Sequence, residues 1–176
     1  MKSTFDLSPF TRNTAPTVNI SGNIERQNNQ LKILYRLEGS SQIIIPQIVN
    51  SPTRQDNLWE HTCCELFIGL QNSTKYWEFN LSPAGDWNVF RFPDYRQYIA
   101  EEMVFDSLPF RVLQQADWLQ LQLEVNLNKI IPPEQSLKVG VTTVIEDRER
   151  QLSYWALTHP APEANFHHRD SLIIDL

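Results

Sequence analysis

Tyr76-Trp77-Glu78-Phe79-Asn80-Leu81-Ser82-Pro83-Ala84-Gly85-Asp86-Trp87-Asn88-Val89-Phe90-Arg91-Phe92 reads as a β-hairpin in which aromatic residues alternate with polar and charged ones. Successive side chains on a strand point to opposite faces. Trp77, Phe79 and Leu81 therefore share one face, and Tyr76, Glu78, Asn80 and Ser82 share the other. Pro83-Ala84-Gly85-Asp86 carries turn chemistry, because proline fixes φ and glycine permits a positive φ. The returning strand divides into Trp87, Val89 and Arg91 against Asn88, Phe90 and Phe92. A strand pair with an apolar side and a polar, aromatic-bearing side suits both a sandwich core and a ligand surface.

Strand signals recur outward from the hairpin. Leu119, Leu121, Leu123, Val125 and Leu127 alternate with Gln120, Gln122, Glu124, Asn126 and Asn128, the cleanest period-two pattern in the chain. Apolar runs at Leu31 to Leu37, Ile43 to Val49, Cys63 to Leu70, Leu137 to Ile145, Leu152 to Leu157 and Ser171 to Leu176 add further strands. The segment Asp94 to Met103 is read as a short helix or a long loop. Eight to ten short strands, with sustained helical periodicity nearly absent, predict an all-β fold: a two-sheet antiparallel β-sandwich, jelly-roll-like. No repeat or linker interrupts the 176 residues, so 1–176 is read as one domain.

Composition narrows the partners. The 21 acidic and 15 basic residues give a formal charge of −6, with the basic residues scattered, which argues against a nucleic-acid backbone as partner. No run has the length of a transmembrane helix, and the start lacks the apolar core of a signal peptide, so the expected location is the cytoplasm with no membrane partner. Cys63 and Cys64 are adjacent, point to opposite faces of a strand, and are read as reduced packing residues.

The hairpin, together with Leu58-Trp59-Glu60-His61-Thr62-Cys63-Cys64-Glu65-Leu66-Phe67-Ile68, resembles the DOMON-like superfamily, which includes the family 9 carbohydrate-binding modules. The matching elements are Trp59-Glu60 leading into a strand with Glu65-Leu66-Phe67, then an aromatic-Glu-Phe-Asn strand ending at Ser82-Pro83. Phe166-His167-His168-Arg169-Asp170-Ser171 is similar to a terminal segment of standalone bacterial members. The resemblance implies two β-sheets packed face to face, with ligand bound at loops or on one sheet face. Haem-binding members use Met and His side chains, whereas only Met1 and Met103 occur here and Met103 has no evident His partner.

The expected function is non-catalytic binding of a small ligand, a saccharide first, by a polar-aromatic surface. Flat aromatic faces contact sugar C–H groups, and planar polar groups hydrogen-bond the hydroxyls. Trp87 and Tyr76 are expected to stack and Glu78, Asn80 and Arg91 to hold hydroxyls, with Trp59 and Trp155 contributing from elsewhere. Against this, the tryptophans can be core residues, and Glu78 and Arg91 an ion pair across the hairpin. The alternatives are a glycan-acting enzyme using Glu65 and Glu78 as its carboxylate pair, or a haem-binding or protein-interaction module. No cofactor is expected. Calcium at loop acids such as Asp56, Asp94, Asp106 and Asp117 has no ligand-loop motif behind it, and His159, His167 and His168 are read as hydrogen-bonded loop histidines.

Overall fold

The computed structural model describes residues 1–11 and 14–176, and its strands form two antiparallel sheets. In the first, Lys2–Asp6 (β1), Asn19–Gln27 (β3), Gln30–Glu38 (β4), Trp118–Asn126 (β10) and Phe110–Gln114 (β9) lie side by side in the order β1-β3-β4-β10-β9. The second sheet contains Ser8–Pro9 (β2), Leu152–Ala156 (β12), Leu137–Glu146 (β11), Cys63–Leu70 (β5), Tyr76–Leu81 (β6), Trp87–Phe92 (β7) and Ala100–Glu101 (β8), in the order β2-β12-β11-β5-β6-β7-β8. Ile174–Asp175 (β13) pairs with β11 at its Leu137 end. The fold is an all-β sandwich, as the period-two patterns predict.

The core lies between the sheets. Leu31, Ile33, Tyr35 and Leu37 of β4 and Leu119, Leu121 and Leu123 of β10 face Leu66, Ile68, Trp77, Phe79 and Val139 of the second sheet. Tyr35 crosses the interface, and its phenol donates to the Glu65 carbonyl at 2.7 Å. The first sheet keeps water on its other face, as the alternation of β10 requires. The second does not, because β5 and β6 are buried almost without alternation.

A second apolar cluster explains that burial. Phe67, Tyr76, Phe90 and Phe92 on the outer face of the second sheet pack with Leu172 and Phe166 of the C-terminal segment. That segment sits down closely because β5 and β11 present glycines to it. A Cβ at Gly69 would stand 2.8 Å from Arg169 Nη1 and 2.9 Å from Leu172, and one at Gly140 3.4 Å from the Ser171 carbonyl. Arg169 donates to the Leu70 carbonyl at the same place. The outer face is thus roofed at one end and leaves a hollow at the other.

The structure refines the expectation at several places. Ile43 to Val49 is not a strand: Ile43 makes one bridge with Asp147 and the chain then leaves the sheet. Pro46 has no N–H to give a ladder, which suits that exit. Asp94 to Met103 is the loop of the two readings, interrupted by the short β8, with Arg96 and Tyr98 at φ of 50°. Of Ser171 to Leu176 only Ile174–Asp175 pairs. β1, β3 and β9 lie outside the runs named from sequence, since their partly buried patterns carry little apolar contrast. Among the described residues no helix is long and apolar enough to cross a membrane.

Close packing at Gly22 of β3 supplies a test of this arrangement. A Cβ there would fall 1.9 Å from the Leu34 carbonyl oxygen and 2.4 Å from the Phe5 ring. Gly22→Ala is expected to destabilise the chain by about 1–3 kcal/mol through overpacking, read as a lower urea midpoint. An unchanged midpoint would show that β1, β3 and β4 do not approach in this way.

Candidate functional site

Register sets the floor of the hollow. Antiparallel pairing lines up Thr142, Glu65, Asn80 and Asn88 across β11, β5, β6 and β7 as one polar row. The adjacent row is Gly140, Phe67, Glu78 and Phe90, and the next brings Gly69, Tyr76 and Phe92 together. Cross-strand partners share a face, so two carboxyls and a set of phenylalanines point out of the same sheet surface. Val144 of β11 and Tyr154 of β12 extend it on one side.

Three segments raise walls around this floor. Trp59 comes from the short turn Leu58–Glu60, its ring edge-on to Phe90 at 5.9 Å between centroids. Arg96 and Ile99 come from the loop after β7, and Ala164, Phe166 and His167 from the C-terminal segment. They enclose a cavity of about 270 Å³. Its lining is mainly aromatic and aliphatic, with Glu65, Glu78, Arg96 and His167 as the charged or ionisable exceptions, a composition typical of small-molecule sites.

The polar groups are held in definite states. Thr142 donates to Glu65 Oε2 at 3.2 Å, and Asn80 Nδ2 donates to Glu78 Oε1 at 2.8 Å. Burial pushes the Glu78 carboxyl up to about 7, against the opposing pull of the Asn80 hydrogen bond and the Arg96 charge. Burial also raises Glu65, and the neighbouring Glu78 charge raises it further. The pair therefore retains a proton at neutral pH, with Glu65 the better holder. His167 is driven down to about 4, first by burial and then by Arg96, so its ring is neutral. The Tyr76 hydroxyl accepts the Arg96 N–H at 3.2 Å and stands 3.0 Å from His167 Nδ1. This network assigns the Tyr76 hydrogen to Nδ1 and the imidazole hydrogen to Nε2, which lies 3.8 Å from Glu78 Oε2. The floor thus presents hydrogen-bond acceptors on Glu78 and donors on Glu65 and His167.

No protein-family model matches the chain, and no curated protein does. Solved structures do. A presumed carbohydrate-binding protein of Bacteroides uniformis superposes with a TM-score of 0.70 at 11% identity, over 97% of this chain and 84% of the other. A family 9 carbohydrate-binding module of Caldicellulosiruptor kristjanssonii, in complex with glucose, superposes with a TM-score of 0.53 at 12% identity, over 96% and 78%. The chain shares its fold with these two structures.

The structure distributes the residues singled out from sequence over three environments. Trp59 and Glu78 line the cavity. Tyr76 and Asn80 share its face but lie beneath the surface; Tyr76 stacks on Phe92 at 4.5 Å and orients His167, and Asn80 orients Glu78. Trp87 and Trp155 are buried in the core between the sheets, Trp87 with the Arg54 guanidinium 4.4 Å from its ring centre. Arg91 shares the strand face of Trp87, opposite Trp77, and emerges at the sheet edge beside Lys75 and Tyr98. It cannot pair with Glu78, because an antiparallel register puts Glu78 against Phe90 and the two charges on opposite faces.

His167, Phe67, Phe90, Phe92 and Tyr154 belong to the cavity without having been assigned to it from sequence. For the three phenylalanines the signal was present, since each shares face parity with Glu65 or Glu78. The other histidines act locally: His159 Nε2 lies 2.8 Å from the Ser8 carbonyl, and His168 accepts the Asp170 N–H. Cys63 and Cys64 are buried free thiols. Asp56 accepts from Asn88, Asp94 from the Tyr95 N–H, and Asp117 from Ser41. No cluster of three His, Cys, Asp or Glu suited to a metal occurs among the described residues. Met103 is 68% exposed on its loop.

Proposed function

We propose that this chain binds a saccharide, without turning it over, in the cavity on the outer face of its second sheet. The observation that supports this reading most is the pairing of aromatic walls with a small set of oriented polar groups on the cavity floor. A pyranose has that same division, with C–H groups on its faces and hydroxyls at its edge. Its C–H face would lie against Trp59 and the phenylalanine rings, while its hydroxyls would donate to Glu78 and accept from Glu65 and His167. The likeness in fold to a module crystallised with glucose is in keeping with this reading. Trp59 and Glu78 would contact the sugar, and Tyr76 and Asn80 would hold His167 and Glu78 in place.

Calorimetric titration with glucose, galactose, mannose and their disaccharides tests the proposal. Trp59→Ala is expected to weaken binding about tenfold, the loss of roughly 1.5 kcal/mol of aromatic contact, with little change in stability for a residue 38% exposed. Equal affinity in wild type and Trp59→Ala, or no binding across the panel, would overturn it.

A further inference from the structure

We infer that the saccharide this cavity takes carries a free amine, so that an ammonium group sits over the Glu65 and Glu78 carboxyls. The inference rests on the saccharide reading and adds the ligand's chemical class. A neutral sugar explains the aromatic walls and one acceptor; it does not explain why two carboxyls stand together at the bottom of an apolar hollow. Only 2% of Glu65 and 6% of Glu78 is exposed, and they lie on adjacent strands, Glu65 opposite the residue that hydrogen-bonds Glu78. Holding two carboxyls out of water is costly unless one keeps its proton or a cation compensates.

No such cation is built in. Among the described residues neither carboxyl has a salt bridge to Lys or Arg, and His167, 3.8 Å from Glu78, is neutral. Arg96 is exposed at the rim, where water screens it. The other ionisable groups facing the pair are Cys63, Tyr76 and Tyr154, none of them cationic.

A second observation is independent of the charges. Asn80 is fully buried and its Oδ1 has no donor among the described residues. By register it stands directly across from Glu65, and its amide nitrogen is committed to Glu78. The floor therefore holds Glu65 and Glu78, each with a single close donor, over an Asn80 oxygen that has none, and an ammonium seated on the two carboxyls brings three. Trp59, Phe90 and Phe92 line the cavity around it, and an aromatic ring attracts a cation placed over its face. Binding would be coupled to proton release: the ligand arrives as R–NH3⁺, and the proton shared by Glu65 and Glu78 leaves to solvent, so that both carboxylates face the ammonium.

Calorimetry at pH 7 with glucose, galactose and mannose, each beside its 2-amino-2-deoxy and N-acetylated forms, tests this on the intact chain. The expected result is at least tenfold tighter binding of one amino sugar than of its parent, lost on N-acetylation, with proton release seen as a dependence of the heat on buffer ionisation enthalpy. Glu65→Gln is expected to reduce the ratio of amino-sugar to parent-sugar affinity to threefold or less, whatever it does to the affinity for each. Equal affinity for parent and amino sugar would overturn the inference and leave the saccharide reading standing. Binding of cyclohexylamine with no binding of any sugar would overturn both, as would silence across the whole set.

Discussion

Glu78→Gln is expected to raise the melting temperature of the ligand-free chain by roughly 6–12 °C at pH 8 and to leave it unchanged at pH 4. The ordinary pKa of the group is 4.5, and burial raises it to about 7 in the folded chain. A carboxyl raised by folding keeps its proton more firmly in the native state. Its contribution is fully present below the unfolded value and is lost as pH rises through the folded one. Over that span the loss is about 3 kcal/mol, and for a chain of 176 residues each kcal/mol corresponds to about 2–4 °C. Glutamine keeps an oxygen for the Asn80 amide and has no charge to desolvate, so it escapes the loss. His167 titrates the other way: lowered to about 4, it makes stability rise with pH between about 4 and 6.5. That term is common to both proteins and cancels in their difference. Thermal melts at pH 4, 6 and 8 check the prediction. A variant less stable than wild type at pH 8 would mean that Glu78 is compensated in a way the structure does not show. The same substitution is expected to weaken saccharide binding, so stability and binding should move in opposite directions, as strained sites require.

The second large effect is expected away from the cavity. Arg54 holds together the segment that leads to Trp59. Its guanidinium donates to Asn88 Oδ1 at 2.6 Å and to the Glu102 and Phe105 carbonyls at 3.1 and 2.8 Å, while lying over Trp87 at 4.4 Å. Arg54→Ala would leave the Glu102 and Phe105 carbonyls without their donor, leave Asn88 Oδ1 only the Val89 N–H, and uncover the indole. The expected loss is about 2–4 kcal/mol, a fall of the order of 4–16 °C in the melting temperature. Arg54→Lys should recover less than half, because one ammonium cannot span three acceptors that a planar fork reaches. An Arg54→Ala protein melting within 2 °C of wild type would contradict this role.

The fold was legible because its evidence is local. The alternation through Leu119–Leu127 and the Pro83–Asp86 turn each state a strand or a reversal without reference to the rest of the chain. The site was legible only in part, because it depends on register and on a distant segment. Parity alone put Tyr76, Glu78 and Asn80 on one face. Adding the register of the returning strand would have set Phe90 rather than Trp87 or Arg91 beside Glu78. Abundance of aromatic residues drew attention to Trp87 and Trp155, which the core absorbs because an indole is most stabilising where it is fully covered. His167 could not be placed from sequence at all. It reaches the floor because the residues just after it, Arg169, Ser171 and Leu172, settle on Gly69 and Gly140, about a hundred positions away in the case of Gly69 and Arg169. Glu65 was weighed as half of a hydrolytic pair, and what distinguishes it now is burial, a property the sequence does not print.

The five tryptophans make a direct test of the site available. In a proton–nitrogen correlation spectrum each indole N–H gives its own signal, and titration with the amino sugar and its parent hexose should shift one of them, Trp59. Trp77, Trp87 and Trp155 lie in the core and Trp118 on the other sheet, so their signals should stay within the scatter of backbone amides remote from the cavity. A titration that moves Trp59 together with the His167 ring places the ligand in the cavity. One that moves Trp118, or leaves all five signals where they were at saturating sugar, contradicts it.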